Sequence, residues 1–316
     1  MLMRGTRRRG RSSANPRQRL LHGWDWSDPG IELEELAPAS RVLVSGGAGE
    51  MIAVLADAGH RVTVIGSNRN QLEYARRRVA GGAFEPGAAE RLFDLGRGMI
   101  RAASPAWSRR RVRQFLQEND PIRASQAWKD RLDNRTLASI LKTMLGPAGA
   151  LSALVLRDFS TPIPPHFDEA IRGRIARALR KHAPRDNPYA WRLLLGEELP
   201  GHRLPRVDAD AIGWVDAPLL DHLERVEPGT YDAITLSNVI DGADERWVRD
   251  LRKAAVRAVV PGGPIIARSF ATTMDDDAAK RARRDRAMLW GSIVVHRSDV
   301  AERPDTPGLQ VHSPSA

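Results

Sequence analysis

The chain has 316 residues, 42% of them apolar, a formal net charge of +10 and no cysteine. That size supports one large domain, or one domain carrying a big insertion, and the missing cysteine excludes disulfides, thiolate zinc sites and a thiol nucleophile. The composition is compatible with a reducing, cytoplasmic setting, and no apolar run approaches the roughly twenty residues that span a bilayer.

The positive charge is local. Seven arginines (Arg4, Arg7, Arg8, Arg9, Arg11, Arg17, Arg19) fall in the first twenty residues without an acid among them. Residues 1–22 therefore read as a basic disordered tail, and no nucleic-acid partner is expected. Next come His22-Gly23-Trp24-Asp25-Trp26-Ser27-Asp28-Pro29 and a short acidic segment, Ile31-Glu32-Leu33-Glu34-Glu35-Leu36.

Val42-Leu43-Val44-Ser45 is an apolar run that ends in Gly46-Gly47-Ala48-Gly49. Met51 to Ala58 reads as a helix and Arg61-Val62-Thr63-Val64-Ile65 as a second strand, which completes a βαβ unit with a cofactor-sized opening at its first turn. Glycines suit that turn because a backbone without Cβ can approach a ribose or phosphate and take φ > 0. Gly47 and Gly49 supply two glycines of G-x-G-x-x-G, but Ile52 replaces the third. A dinucleotide pyrophosphate is therefore disfavoured, and a nucleoside without phosphates fits better.

Residues 23–84 hold the N-terminal segment and this first βαβ unit. Residues 85–206 turn helical and irregular, with apolar spacing from Leu137 to Leu156 broken at Gly146-Pro147 and a hinge at Thr161-Pro162-Ile163-Pro164-Pro165. This stretch reads as a helical insertion that caps an acceptor site. Strand patterns return within residues 207–298, at Ala211 to Asp216, Tyr231 to Asn238 and Pro264 to Phe270, and residues 299–316 form a loose tail. Strands with helices between them imply an α/β, doubly wound parallel sheet, whose ligands lie beyond the carboxyl ends of the strands. Glu50, Asn68, Asp216, Asn238 and Arg268 fall at or just past those ends.

With the strand ends placed, the chain resembles the class I S-adenosylmethionine-dependent transferases with a Rossmann-like sheet. Within them it is most similar to the betaine-lipid synthase-type 3-amino-3-carboxypropyl transferases. The likeness runs through Trp26-Ser27-Asp28-Pro29, Ser45-Gly46-Gly47, Asn68 with Gln71, Asn187-Pro188-Tyr189 with Trp191 and Leu195-Gly196, Tyr231-Asp232 to Asp241, Pro261-Gly262-Gly263, Arg268-Ser269-Phe270, and Asp285-Arg286 with Trp290-Gly291. The resemblance implies that S-adenosylmethionine is a co-substrate whose γ-carbon is attacked by an acceptor while methylthioadenosine leaves. Among relatives, lipid enzymes use the diacylglycerol hydroxyl and isonocardicin synthase a phenol in antibiotic assembly; with no membrane-seeking helix evident, a soluble hydroxyl or phenol acceptor is favoured here. Aminocarboxypropyl transfer to diacylglycerol in betaine-lipid synthesis, ordinary methyl transfer and non-catalytic nucleoside binding are the alternatives.

The resemblance also implies cofactor contacts from Trp26, Ser45, Gly46, Gly47, Asn68, Gln71 and Asn238. It usually places an acid at the end of the second strand to bind both ribose hydroxyls, but that position is Gly66 here, leaving Asn68 and Glu50 as substitutes. Asp216 is placed to accept the adenine amino group or to cap the following helix. Arg268, on an apolar strand, must meet a ligand carboxylate or an internal acid such as Asp241, and the ligand is the favoured partner. Candidates for acceptor activation are His166, with Asp241 and His296 behind it, and Tyr189 is expected to shape the acceptor pocket. No metal is expected, since the eight histidines are scattered without H-x-x-x-H or H-E-x-x-H spacing.

Overall fold

The computed structural model describes residues 19–145 and 166–297. The basic tail before residue 19, the break at Gly146-Pro147, the hinge at Thr161 to Pro165 and residues 299–316 lie outside the described residues.

Six strands, β1 (Arg41–Ser45), β2 (Arg61–Gly66), β3 (Gly213–Asp216), β4 (Ala233–Thr235), β5 (Pro264–Ser269) and β6 (Ser292–Arg297), form one mixed sheet. Their order is β3-β2-β1-β4-β5-β6. The first five run parallel, and β6 pairs antiparallel with β5. The α/β sheet is thus as expected except for its added antiparallel edge strand, for which Ile293-Val294-Val295 is the β-branched signal. The order reverses direction between β1 and β4, and in open α/β sheets ligands bind beyond the carboxyl ends at such a reversal.

Twelve α-helices lie among the described residues. The first six are α1 (Gly30–Glu35), α2 (Glu50–Asp57), α3 (Arg69–Val79), α4 (Ala88–Ala103), α5 (Arg109–Leu116) and α6 (Pro121–Ala127). The others are α7 (Arg135–Leu145), α8 (Phe167–Leu179), α9 (Pro188–Leu194), α10 (Leu219–Arg225), α11 (Glu245–Ala258) and α12 (Asp276–Ala282). Among the described residues, no helix is long and apolar enough to cross a membrane.

The period-two alternation of the strands sorts their side chains onto two faces. Val42, Val44, Val62 and Val64 pack with Ile52 and Leu55 of α2 and with Leu72 and Val79 of α3. Leu43, Ile65, Ile234 and Ile265 turn the other way, against Leu223 of α10 and Leu251, Ala255 and Ala258 of α11. Helices α4 to α9 build a separate apolar cluster from Ile100, Trp107, Leu116, Trp128, Leu179 and Trp191, which also takes in Trp24 and Trp26 from the N-terminal segment and Met288 and Leu289 from the approach to β6. The helical layer is therefore bonded to the sheet domain through shared core.

Arg268 overturns the expectation attached to it. Its side chain is 1% exposed and its fork meets Glu32 of α1, with Nη1 donating to Oε1 at 2.5 Å and Nη2 to Oε2 at 2.8 Å. Nη2 also donates to the Asp28 carbonyl, and Thr235 of β4 donates its hydroxyl to Glu32 at 2.8 Å. An internal acid is thus the partner, and it is Glu32 rather than Asp241. The reason is geometric: α1 crosses β4 and β5 closely enough for a bidentate match, which leaves no donor pair turned outward. Asp285 lies 3.7 Å from the Arg268 Nε, and burial pushes its carboxyl up to about 7. Removing one member of such a pair strands a buried charge. Glu32→Gln is expected to lower unfolding stability by about 3–5 kcal/mol, read as a shift of the urea midpoint; a loss below about 1 kcal/mol would show that the pair is not the anchor of α1.

Candidate functional site

The carboxyl ends of β3, β2, β1 and β4 are neighbours, so Asp216, Gly66, Ser45 with Gly46, and Asn238 line one edge across three strand spacings, about 14 Å. Ser45, Gly46, Gly47, Gly66, Asn68 and Asn238 are half-buried, and Asp216 is exposed. These residues, expected at strand ends, share that edge. The helix after Asp216 begins behind Pro218 without a side-chain cap, so the capping alternative for Asp216 does not hold.

Gly46 and Gly47 have different tasks. Gly46, at φ +70°, ends β1, and a Cβ there would meet nothing within 4 Å. A Cβ on Gly47, at φ +111°, would instead come 3.2 Å from the Asp25 Oδ1. Asp25 is the residue the sequence reading missed. Its buried carboxylate accepts from the Ala48 amide at 2.5 Å and from the Met51 amide at 2.9 Å, so it caps the glycine turn and the start of α2 from within. Burial raises its pKa and the two amides oppose that shift. In a phosphate-binding turn these donors face the ligand; here an internal acid consumes them.

Several residues expected to touch a cofactor are occupied elsewhere. Gln71 is 6% exposed, and its amide is spent: Oε1 accepts from Leu21 and His22, while Nε2 donates to the carbonyls of His22 and Gly47. It clamps the N-terminal segment to the turn. Asn68 caps α3 by accepting from the Gln71 amide at 3.2 Å, and its Nδ2 donates to the Arg19 carbonyl at 2.9 Å. Trp26 is buried and donates from Nε1 to Glu90, whose carboxylate also receives the amides of Gly23, Trp24 and Gly87. Glu50 does not face the edge. It meets the buried Arg192 at 2.5 Å and His202 at 3.5 Å, and these two partners, against its burial, hold its carboxyl below the usual range.

The activation candidates His166, Asp241 and His296, and the pocket candidate Tyr189, have different surroundings. His166 is exposed, in a left-handed conformation ahead of α8, and makes no capping bond. Tyr189 is 1% exposed, donates its hydroxyl to the Ser27 carbonyl at 3.0 Å, and is raised well above the ordinary tyrosine value by burial. It is a core aromatic and does not line an acceptor pocket. Asp241 is half-buried just beyond β4, accepts from the Ser269 hydroxyl at 2.5 Å and the Phe270 amide at 2.9 Å, and has its pKa raised by burial over those bonds. His296 lies within β6. No group of three His, Cys, Asp or Glu side chains among the described residues is placed to hold a metal ion.

The signal for Asp25 lay in plain view between two tryptophans, but nothing in the residue order says that the segment folds back over α2. No protein-family model matches the chain, and no curated protein does. Asp25→Asn keeps the size of the side chain but loses the charge and one acceptor. It is expected to cost about 1.5–3 kcal/mol in a urea titration, and an unchanged midpoint would mean that the turn stands without its internal cap.

Proposed function

We propose that the chain binds S-adenosylmethionine across the ends of β3, β2, β1 and β4 and transfers its 3-amino-3-carboxypropyl group to a hydroxyl or phenol of a small molecule. The observation that carries this reading is the Asp25 carboxylate on the amides of the glycine turn. With those donors taken, the edge is unsuited to a pyrophosphate and suited to a nucleoside, and a buried acid beneath it favours a cationic sulfonium over an anion. The sheet order and the residues shared with the class I transferases add to it. In this reading Asp216 meets the adenine and Gly46 gives room for the ligand.

The acceptor oxygen attacks the γ-carbon, a carbon–oxygen bond forms, the carbon–sulfur bond breaks, and methylthioadenosine leaves with the bonding pair. The acceptor proton needs a receiver. Asp241 is the choice among the described residues, because it lies beside Asn238 with its carboxyl pKa raised by burial, whereas His166 is exposed and Tyr189 is enclosed. A phenol, with a pKa near 10, needs only modest help of this kind. Positioning against an activated leaving group supplies much of the rest.

The sulfur product decides the reaction. Incubation with S-adenosylmethionine and a phenolic acceptor is expected to release methylthioadenosine; S-adenosylhomocysteine would mark methyl transfer instead, and absence of calorimetric binding of the cofactor would overturn the reading altogether. Gly66 offers an independent check. A Cβ at this position would meet Leu72 at 3.5 Å, an ordinary contact, and its φ lies outside the left-handed region, so an aspartate fits the backbone there. Gly66→Asp is expected to tighten cofactor binding by about 1.5–3 kcal/mol, the range of a charge-assisted hydrogen bond. Weaker binding by this variant in calorimetry would place the ribose elsewhere.

A further inference from the structure

A cavity of about 290 Å³ opens past the end of β5, between α8 and α12. Its wall carries Arg174, Arg177 and Arg283, together with Thr272, Thr273 and the indole of Trp290. Elsewhere in this region arginines come with acids: Arg281 with Glu35, Arg284 with Glu34, Arg286 with Asp28 and Arg172 with Asp133. The three that face the cavity have no acid within ion-pair distance among the described residues.

Arg174 makes the contrast sharp. It is 5% exposed, so its charge is enclosed, yet it meets no carboxylate: its terminal nitrogens donate to the carbonyls of Leu289 and Phe270, at 2.5 and 2.7 Å, and its guanidinium lies over the Phe167 ring, 5.5 Å from the centroid. Burial, and then Arg177, push its pKa down to about 10. Arg177 is in turn depressed by burial, by Arg180 and by Arg283, so the cationic groups repel one another across the opening. A protein keeps such charges together at a cost unless an anion joins them. Asp285 also lines the cavity, but its carboxylate already accepts from Ala287 and lies against Arg268. It does not neutralise the arginines.

We propose that this cavity binds the carboxylate or phosphate of an anionic small molecule, held by Arg174, Arg177 and Arg283 with its apolar body against Trp290. The volume suits a single-ring compound and not a nucleotide. Because the cavity shares the sheet edge with the glycine turn, the occupant is the acceptor; that identification rests on the transferase reading, whereas the anion site itself does not.

Calorimetry on the full chain tests it with 4-hydroxyphenylacetate, its neutral counterpart p-cresol, and inorganic phosphate as competitor. The expected result is that 4-hydroxyphenylacetate binds about tenfold or more tightly than p-cresol and that phosphate competes with it. Arg177→Ala with Arg283→Ala, both exposed and remote from the core, should lower that affinity about tenfold while p-cresol is unaffected. Arg110→Ala with Arg111→Ala, exposed on α5, removes the same charge elsewhere and should change nothing. Equal affinity for the charged and neutral phenols, no anion binding, or an equal loss in the Arg110 and Arg111 variant would overturn the proposal. So would loss of S-adenosylmethionine binding, with methylthioadenosine retained, in the Arg177 and Arg283 variant, since the arginines would then hold the cofactor's own carboxylate. Failure of the cofactor to bind at all would sink the transferase reading and leave the anion site standing.

Discussion

The buried fork between Arg268 and Glu32 is the constraint on which the rest of the molecule depends. It ties a short helix that precedes the sheet to a central strand, and Thr235 and the Asp28 carbonyl complete its hydrogen bonding. Two charges this enclosed contribute little net stability relative to an apolar pair of similar shape. What they supply is register. A bidentate match tolerates neither rotation of α1 nor a slip along β5, so it fixes where the chain stands when it turns into the N-terminal segment. Asp28, at the mouth of α1, is then within reach of Arg286, which pairs with it at 2.7 Å and brings the loop before β6 under the same control.

From that fixed point the N-terminal segment runs over the carboxyl edge of the sheet and is clamped by side chains that would otherwise be available to a ligand. Gln71 spends its amide on four backbone groups, Glu90 collects three amides and an indole, and Asp25 satisfies the first turn of α2. Each clamp removes a polar group from the list of cofactor contacts. Together they leave an edge made of glycine backbone and a few neutral or acidic side chains. Such an edge offers shape and short-range hydrogen bonds more than charge, which is what an uncharged adenosine needs.

Much of the frame was legible in the residues. Val42 to Ser45 followed by Gly46 places the first strand and its turn, and the returns at Gly213, Ala233 and Pro264 place the others, because alternation of β-branched residues is a local signal. The Ile293-Val294-Val295 edge strand carries the same signal. The site was harder, for a physical reason. Polar residues such as Glu32, Asp25 and Arg192 are read locally as solvated helix faces or loop positions, and only long-range packing brings Glu32 to Arg268, 236 positions away, or Arg192 to Glu50, 142 away. Trp26 and Tyr189 show the converse. Their positions match a functional pattern, yet their surroundings make them core.

The charges of the edge are divided. Under the glycine turn lies Asp25, and past β4 lies Asp241, so the β1 and β4 side of the edge is acidic and favours a cation. Past β5 the sign reverses, where Arg174, Arg177 and Arg283 line a cavity without an ion-paired acid among the described residues. On the proposed transferase reading such a division has a use, because a cationic donor and an anionic acceptor would each be drawn to one end and kept from the other. Asp241 stands between the two ends, bonded to Ser269 and Phe270 at the close of β5 and raised by burial. A carboxylate at that boundary feels Arg174 on one side, which lowers its pKa against the burial that raises it. A proton receiver must hold its proton weakly before the reaction and firmly after it. Filling the arginine cavity with an anion would remove part of that lowering influence and raise the Asp241 pKa further, which on the proposed transferase reading couples occupancy of the cavity to the strength of the base.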